Sequence, residues 1–253
     1  MSAFPRLIAF DLDGTLTQHR TPLSAETAAL LDRLRKRFPL LIIGAGSCER
    51  IHKQLNGYPI DIIGNYGMQT AAYNEKSGTI DTLENACVPV NSVETAARIN
   101  ILRKQFGFER YCGASVEFHD SGMITFPLLG TRANIEDKIR FDPDRSRRKP
   151  MYESVCCAFH DYKVFIGGSS SFDIVPKPYN KLYALKRYCK AHDIPLEKTV
   201  YAGDDYGKGG NDEDVYQSGV PFLCVDNYLH IKKNLQPLLE DAEAVRIQGG
   251  NGK

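Results

Sequence analysis

A chain of 253 residues is long enough for one large domain or two modest ones, and 42% hydrophobic with 25% charged residues is ordinary for a soluble globular fold. A formal net charge of +1 excludes a general attraction to nucleic acid or to an acidic membrane surface, so partners have to be argued from sites. No apolar run approaches the roughly 18 residues that a membrane span requires, and the N-terminus lacks the basic, apolar, small-residue order of a secretory signal, so a cytoplasmic protein with no membrane partner is expected.

The first element is an apolar run over 7–13 that leads into Asp11 and Asp13, then Gly14 and Thr15. Residues two apart at an extended strand tip project to one side, so the two carboxylates can face one ligand, and a bound divalent cation relieves their repulsion. Gly14 permits a sharp turn close to whatever is bound, and Thr15 offers a hydroxyl and an amide to an anion. Ser24 then caps a helix pattern of Leu30, Leu31, Leu34 and Phe38. A second apolar run, 40–47, closes on Gly44-Ala45-Gly46-Ser47 and opens a helix over 48–55, where Ser47 reads equally as an N-cap and as a phosphate ligand. A third run covers 61–65.

From about Met68 to Pro178 this rhythm breaks. One helix pattern (Val93, Ala96, Ala97, Leu102, Phe106) stands among strand-like pieces at 115–118, 123–128 and 163–175, which reads as an inserted α+β domain. The basic run Arg145-Ser146-Arg147-Arg148-Lys149 within it reads as a solvated loop, and no nucleic-acid partner is expected. Alternation resumes with a helix opening at Asn180 and Lys181. A lysine in a first helical turn opposes the dipole, which marks Lys181. Apolar runs over 199–204 and 221–226 follow, and between them 203–212 forms a glycine-rich loop bearing Asp204, Asp205, Asn211 and Asp212, hard oxygen ligands that suit magnesium. The tail, 248–253, reads as disordered.

The five near-continuous apolar runs and the helices between them predict a doubly wound α/β parallel sheet, with the core over 1–77 and 179–253 and the insertion over 78–178. Ligands bind beyond the carboxyl ends of such strands, so Asp11, Asp13, Ser47, Asn65 and Asp204 are expected to converge. The seven cysteines are scattered and form no Cys-x-x-Cys pair. Cys156 and Cys157 would point to opposite faces of a strand, and the set reads as buried reduced thiols rather than disulfides or a zinc site.

Asp11-Leu12-Asp13-Gly14-Thr15 resembles the first motif of the haloacid dehalogenase superfamily of phosphatases and phosphomutases. Ser47, then Phe172–Pro176 followed by Lys181, and the acidic loop after Gly203 resemble the remaining three. The resemblance implies a Rossmann-like core with a large cap that closes over the active site. It implies Asp11 as the nucleophile that takes the phosphoryl group and Asp13 as the acid/base. Ser47 would hydrogen-bond the phosphoryl oxygen, and Lys181 would offset the charge. Mg2+ would sit between Asp11, the Asp13 carbonyl and Asp204, with Asp212 a direct or indirect contributor and Asp205 an alternative ligand.

A nearer match is the eukaryotic-type phosphomannomutase family, through Arg20 nine residues after Asp11, Gly167-Gly168-x-x-Ser171-Phe172-Asp173, and Gly209-Gly210-Asn211-Asp212. In that family residues matching Arg20, Ser171 and Asp173 contact the sugar phosphate, and Gly46 joins them as a candidate substrate contact. Where the mutase cap places arginines on the distal phosphate, this chain aligns His119, Thr131 and Lys138, with Arg132 and Arg140 close by. His119, Lys138 and Arg132 complete the candidate substrate set. Histidine and lysine do not reproduce the bidentate grip of arginine. The expected activity is therefore Mg2+-dependent hydrolysis of a phosphorylated sugar. The alternative is a phosphomannomutase interconverting hexose 6- and 1-phosphates, and a third reading is a non-catalytic sugar-phosphate-binding module. The sugar, and whether the chain forms a homodimer, are left open.

Overall fold

The computed structural model describes residues 5–239, so the tail at 248–253 lies outside the described residues. The chain opens with β1 (Leu7–Phe10), α1 (Ala25–Arg35), β2 (Leu40–Ile43), α2 (Cys48–Gln54), β3 (Asp61–Gly64) and a hairpin of β4 (Gln69–Asn74) and β5 (Thr79–Asn85). The middle holds α3 (Ser92–Phe106), β6 (Glu117–Phe118), β7 (Ile124–Pro127), α4 (Ile135–Phe141), α5 (Tyr152–Ala158), β8 (Tyr162–Phe165) and β9 (Ser171–Pro176). It closes with α6 (Lys181–Ala191), β10 (Thr199–Gly203), α7 (Glu213–Gln217), β11 (Phe222–Cys224) and α8 (Ile231–Leu239). Two compact units result: one runs to Asn85 and resumes at Lys181, and the other is Ala86–Asn180 together with Lys208–Asn211.

Among the described residues the first unit carries a seven-stranded sheet in the order β11-β10-β1-β2-β3-β4-β5. The first five strands are parallel, and β4 and β5 are antiparallel additions. Both faces of the parallel part are covered, which is why its strands are apolar at consecutive positions. Ile8, Phe10 and Ile42 face a core built with Leu30, Leu34, Ile51 and Leu235, and Leu7, Ala9 and Ile43 face a core built with Ala184, Leu185 and Val215.

The strands are shorter than the apolar runs. β1 stops at Phe10 because the Leu12 carbonyl collects the N–H groups of Thr15, Leu16 and Thr17 at 3.3, 2.9 and 3.1 Å, folding 12–17 into a tight turn. The first unit also extends to Asn85 instead of ending near residue 77, since β5 pairs with β4 from Asn85 opposite Gln69 to Thr79 opposite Asn74. That strand is polar and mostly exposed, so it carries no apolar signature.

The second unit is a four-stranded antiparallel sheet, β6-β7-β9-β8, with α3 and α5 packed through Ile99, Leu102, Val155 and Phe159 against Phe126, Val164 and Phe172. Two of its helices had no legible pattern: α4 buries no residue and α5 buries only Val155. Cys156 and Cys157 therefore lie on a helix, not on a strand. Of the seven free cysteines only Cys48 and Cys189 are buried, and Cys87, Cys112, Cys157 and Cys224 are exposed. The strand-like piece at 163–175 is two strands joined through Gly167 and Gly168. Arg148, expected in solvent, is 1% exposed. No helix among the described residues is long and apolar enough to cross a membrane.

Candidate active site

The carboxyl ends of β1 and β10 set the site. These strands pair in parallel from Leu7 opposite Thr199 to Phe10 opposite Ala202, and Asp11 N–H donates to the Ala202 carbonyl at 2.9 Å. Asp11 and Asp204 thus leave adjacent strand tips together. Asp212 joins them from the loop after β10, and single carboxylate oxygens of the three lie within 4.8 Å of one another. Lys181, in the first turn of α6 and fully buried, donates from Nζ to Asp11 Oδ1 at 2.6 Å and to Asp212 Oδ1 at 2.8 Å. Two carboxylates more than offset the dipole penalty of a lysine at that position.

Both oxygens of Asp212 are occupied: Tyr201 donates its hydroxyl to Oδ1, which Lys181 also reaches, at 2.7 Å, and the Asp205 N–H donates to Oδ2 at 3.1 Å. Asp205 enters through its backbone, and its carboxylate is not one of the three in the cluster. Thr15 Oγ1 donates to Asp204 Oδ1 at 2.9 Å. Gly14, at φ +97°, is required by the same packing: a Cβ there would lie 2.3 Å from Asp204 Oδ2.

Burial pushes Asp11 well above the ordinary carboxylate range. Lys181 opposes the shift, and Asp212 and Asp204 add to it. Asp204 is raised to about 6, by burial first and then by Asp212. Burial would lower the Lys181 ammonium, but Asp11 and Asp212 outweigh it and hold the group charged. With all three carboxyls ionised, one ammonium would leave a surplus of two negative charges in an all-oxygen cluster. That repulsion adds to burial in raising Asp11 and Asp204, and a divalent cation such as magnesium would relieve it.

Asp13 takes a separate position. Its side chain accepts from the Arg20 N–H at 2.6 Å and the Gln54 amide at 2.7 Å, with Arg50 at 3.4 Å. Burial would raise it, but the bonds from Gln54 and Arg20, with His19 and Arg50 nearby, outweigh that and hold it below the ordinary carboxylate value. Asp13 lies beyond the end of β1, and its carboxylate is not one of the three in the cluster.

Ser47 caps α2, accepting the Arg50 N–H at 3.2 Å, and the Gly46 carbonyl accepts the Asn65 N–H at 2.8 Å, tying the ends of β2 and β3 together. Sequence reasoning missed Arg50, Gln54 and Tyr201. The first two were findable: Ser47, Arg50 and Gln54 stand at i, i+3 and i+7, one face of a helix.

In the second unit Ser171 and Asp173 are half-buried and alternate with buried Phe172 and Ile174 along β9. Ser171 Oγ donates to the Gly167 carbonyl at 3.1 Å. His119 Nε2 hydrogen-bonds Thr125 Oγ1 at 2.9 Å, and that hydroxyl lies 3.5 Å from Asp173 Oδ1. Lys138 Nζ donates to the Thr131 carbonyl at 3.0 Å, while Thr131 Oγ1 accepts the Ala114 N–H at 2.9 Å. Arg132 and Arg140 are exposed.

Comparison with known proteins points the same way as this arrangement. The sequence model described as "Eukaryotic phosphomannomutase" matches residues 27–222. The chain is 28% identical over 226 residues to a protein named "Probable phosphomannomutase" from Caenorhabditis elegans, covering 83% of this chain and 85% of the relative. It is 28% identical over 237 residues to the "Phosphomannomutase" of Schizosaccharomyces pombe, covering 84% and 86%. Among solved structures it is similar in fold to an N-terminally truncated IMP-nucleotidase from Plasmodium falciparum, at TM-score 0.67 and 18% identity, covering 95% of this chain and 72% of that one. It is also similar to a phosphatase of the haloalkanoate (HAD) superfamily from Bacteroides thetaiotaomicron, at TM-score 0.59 and 14% identity, covering 93% and 95%. With most of its length matched by that sequence model, and with a fold similar to that of these structures, the chain belongs to the eukaryotic phosphomannomutase family.

Proposed function

We propose that this protein is a magnesium-dependent phosphatase of sugar phosphates that works through an aspartyl phosphate on Asp11. The observation that carries hydrolysis over isomerisation is the state of His119, Thr131 and Lys138, which stand where the family's mutases use arginine. His119 hydrogen-bonds Thr125 and Lys138 the Thr131 carbonyl, and neither side chain has the planar fork with which arginine grips a second phosphate. A bisphosphate held weakly escapes, and water completes the reaction instead.

In this reading an Asp11 carboxylate oxygen attacks phosphorus, and the bond to the sugar oxygen breaks as Asp13 protonates it. That role requires the negative charge of the bound phosphate to raise Asp13 from its lowered resting state, so that it first takes up a proton from solvent. Water then attacks the aspartyl phosphate with Asp13 as base, releasing inorganic phosphate and restoring Asp11. Lys181, anchored to Asp212, keeps the Asp11 carboxylate oriented. Asp11, Asp204 and the Asp13 carbonyl would hold magnesium, which would supply positive charge to the phosphoryl oxygens when bound. The oxygens of Asp212 already accept from Lys181, Tyr201 and Asp205, which supports an indirect role for it. Ser47, Gly46 and Arg20 are the proposed phosphate and sugar contacts of the first unit, and Ser171, Asp173, His119, Lys138 and Arg132 those of the second.

The second reading is a phosphomannomutase, favoured by the names of the relatives. Incubation with hexose 1- and 6-phosphates, with and without a hexose bisphosphate, separates the two when phosphate release and isomerisation are followed in one reaction. Phosphate release faster than interconversion is expected. Clean isomerisation with negligible phosphate would establish the mutase.

A further inference from the structure

The basic run at 145–149 contains one residue that a solvated loop does not explain. Arg148 is 1% exposed, and its side chain donates five hydrogen bonds to two turns. Nε donates to Asp142 Oδ2 at 2.7 Å and NH2 to the Asp142 carbonyl at 3.2 Å. On the other side NH1 donates to the carbonyls of Gly167, Gly168 and Ser171 at 2.7, 3.0 and 3.0 Å. Asp142 is equally buried and also accepts the N–H groups of Arg147 and Arg148 at 2.8 and 3.2 Å.

These two turns carry different halves of the candidate substrate surface. Asp142 directly follows α4, which bears Lys138, and Gly167–Ser171 is the turn that launches Ser171 and Asp173 on β9. The turn is tightly packed: a Cβ on Gly167 would lie 2.4 Å from the Asp173 carboxylate, and Ser171 Oγ already donates to the Gly167 carbonyl. Displacement of the turn therefore moves both polar side chains.

We infer that Arg148 and Asp142 are positioning residues for sugar recognition, a planar clamp that sets the spacing between the end of α4 and the Ser171–Asp173 edge of β9. Arginine is needed because one rigid fork must satisfy a carboxylate on one side and three carbonyls on the other, which an ammonium on a flexible stem does not do. The inference rests on the sugar-phosphate reading above, in which those residues touch substrate.

The test compares a hexose phosphate with p-nitrophenyl phosphate, an ester without a sugar that needs only the Asp11 site of the first unit. Arg148→Met and Asp142→Asn should raise KM for the hexose phosphate by on the order of ten- to a hundredfold, with kcat changed less. Turnover of p-nitrophenyl phosphate should stay within about twofold, since no reacting group is altered. Arg148→Lys, which keeps charge and most of the volume, should rescue folding but not KM, and it carries the test if Arg148→Met does not fold. Equal losses on both substrates, or an unchanged KM in Arg148→Lys, would overturn the positioning role alone. A wild-type protein with no preference for sugar phosphates over p-nitrophenyl phosphate would overturn the functional reading and the inference with it.

Discussion

Replacing Lys181 by methionine isolates the electrostatic logic of the site. The side chain is fully buried, with its ammonium 2.6 Å from Asp11 and 2.8 Å from Asp212, so removal leaves two carboxylates facing each other without a counter-charge. At an effective dielectric of ~20 each attraction is about 6 kcal/mol, offset by desolvation of the ammonium and by repulsion between the carboxylates. Breaking a buried pair by deleting one partner costs about 3–5 kcal/mol. A second route gives a similar bound: an unpaired carboxylate of ordinary pKa takes a proton at pH 7 at a cost of about 4 kcal/mol. We therefore expect Lys181→Met to lose about 3–5 kcal/mol of stability at pH 7 in metal-free urea titrations. The loss should shrink toward about pH 4, because the mutation raises the Asp11 carboxyl of the folded state further above its unfolded value, and that penalty exists only where the unfolded group is ionised. A loss under ~1 kcal/mol at pH 7, or one that does not change with pH, would refute the reasoning.

Asp11→Asn should fold normally by circular dichroism and release no phosphate from any substrate of the wild type, because an amide is a poor nucleophile. Gly14→Ala forces a Cβ to within 2.3 Å of Asp204 Oδ2 at φ +97°, so it should cost about 1–3 kcal/mol and weaken magnesium activation, read as a raised metal concentration for half-maximal rate. Asp204 is held at about 6, above its unfolded value, so its contribution to stability is full below the unfolded value and lost as pH rises through 6. Magnesium should accordingly raise the Tm of the metal-free protein more at about pH 7.5 than at about pH 5, and equal shifts would count against Asp204 as a ligand. Chelation should silence phosphate release, with calcium a poor substitute for magnesium because its larger, looser shell misplaces the nucleophile.

Sequence by itself determined the parallel part of the sheet and the chemistry at its edge. Strands covered on both faces must be apolar at every position, so β1, β2, β3, β10 and β11 stood out as runs, and polar residues at their ends marked where Asp11, Ser47 and Asp204 would emerge. Lys181 was legible because it violates a local preference. What only the tertiary structure decided depends on contacts between distant segments. β5 is polar and mostly solvent-facing, and its membership of the first unit follows from pairing with β4, with Ile80 packed on the core and Glu84 paired to Arg187. α4 and α5 bury too few residues to leave a helical stripe. Asp13 sits in a turn whose side-chain partners come from α2, some forty residues away, so the bonds that hold it have no counterpart in the i, i+2 spacing. Arg148 reads locally as one charge among several; its burial is set by Asp142 and by carbonyls about twenty residues further on, and a charged group is stable inside only where such partners converge, which folding alone arranges.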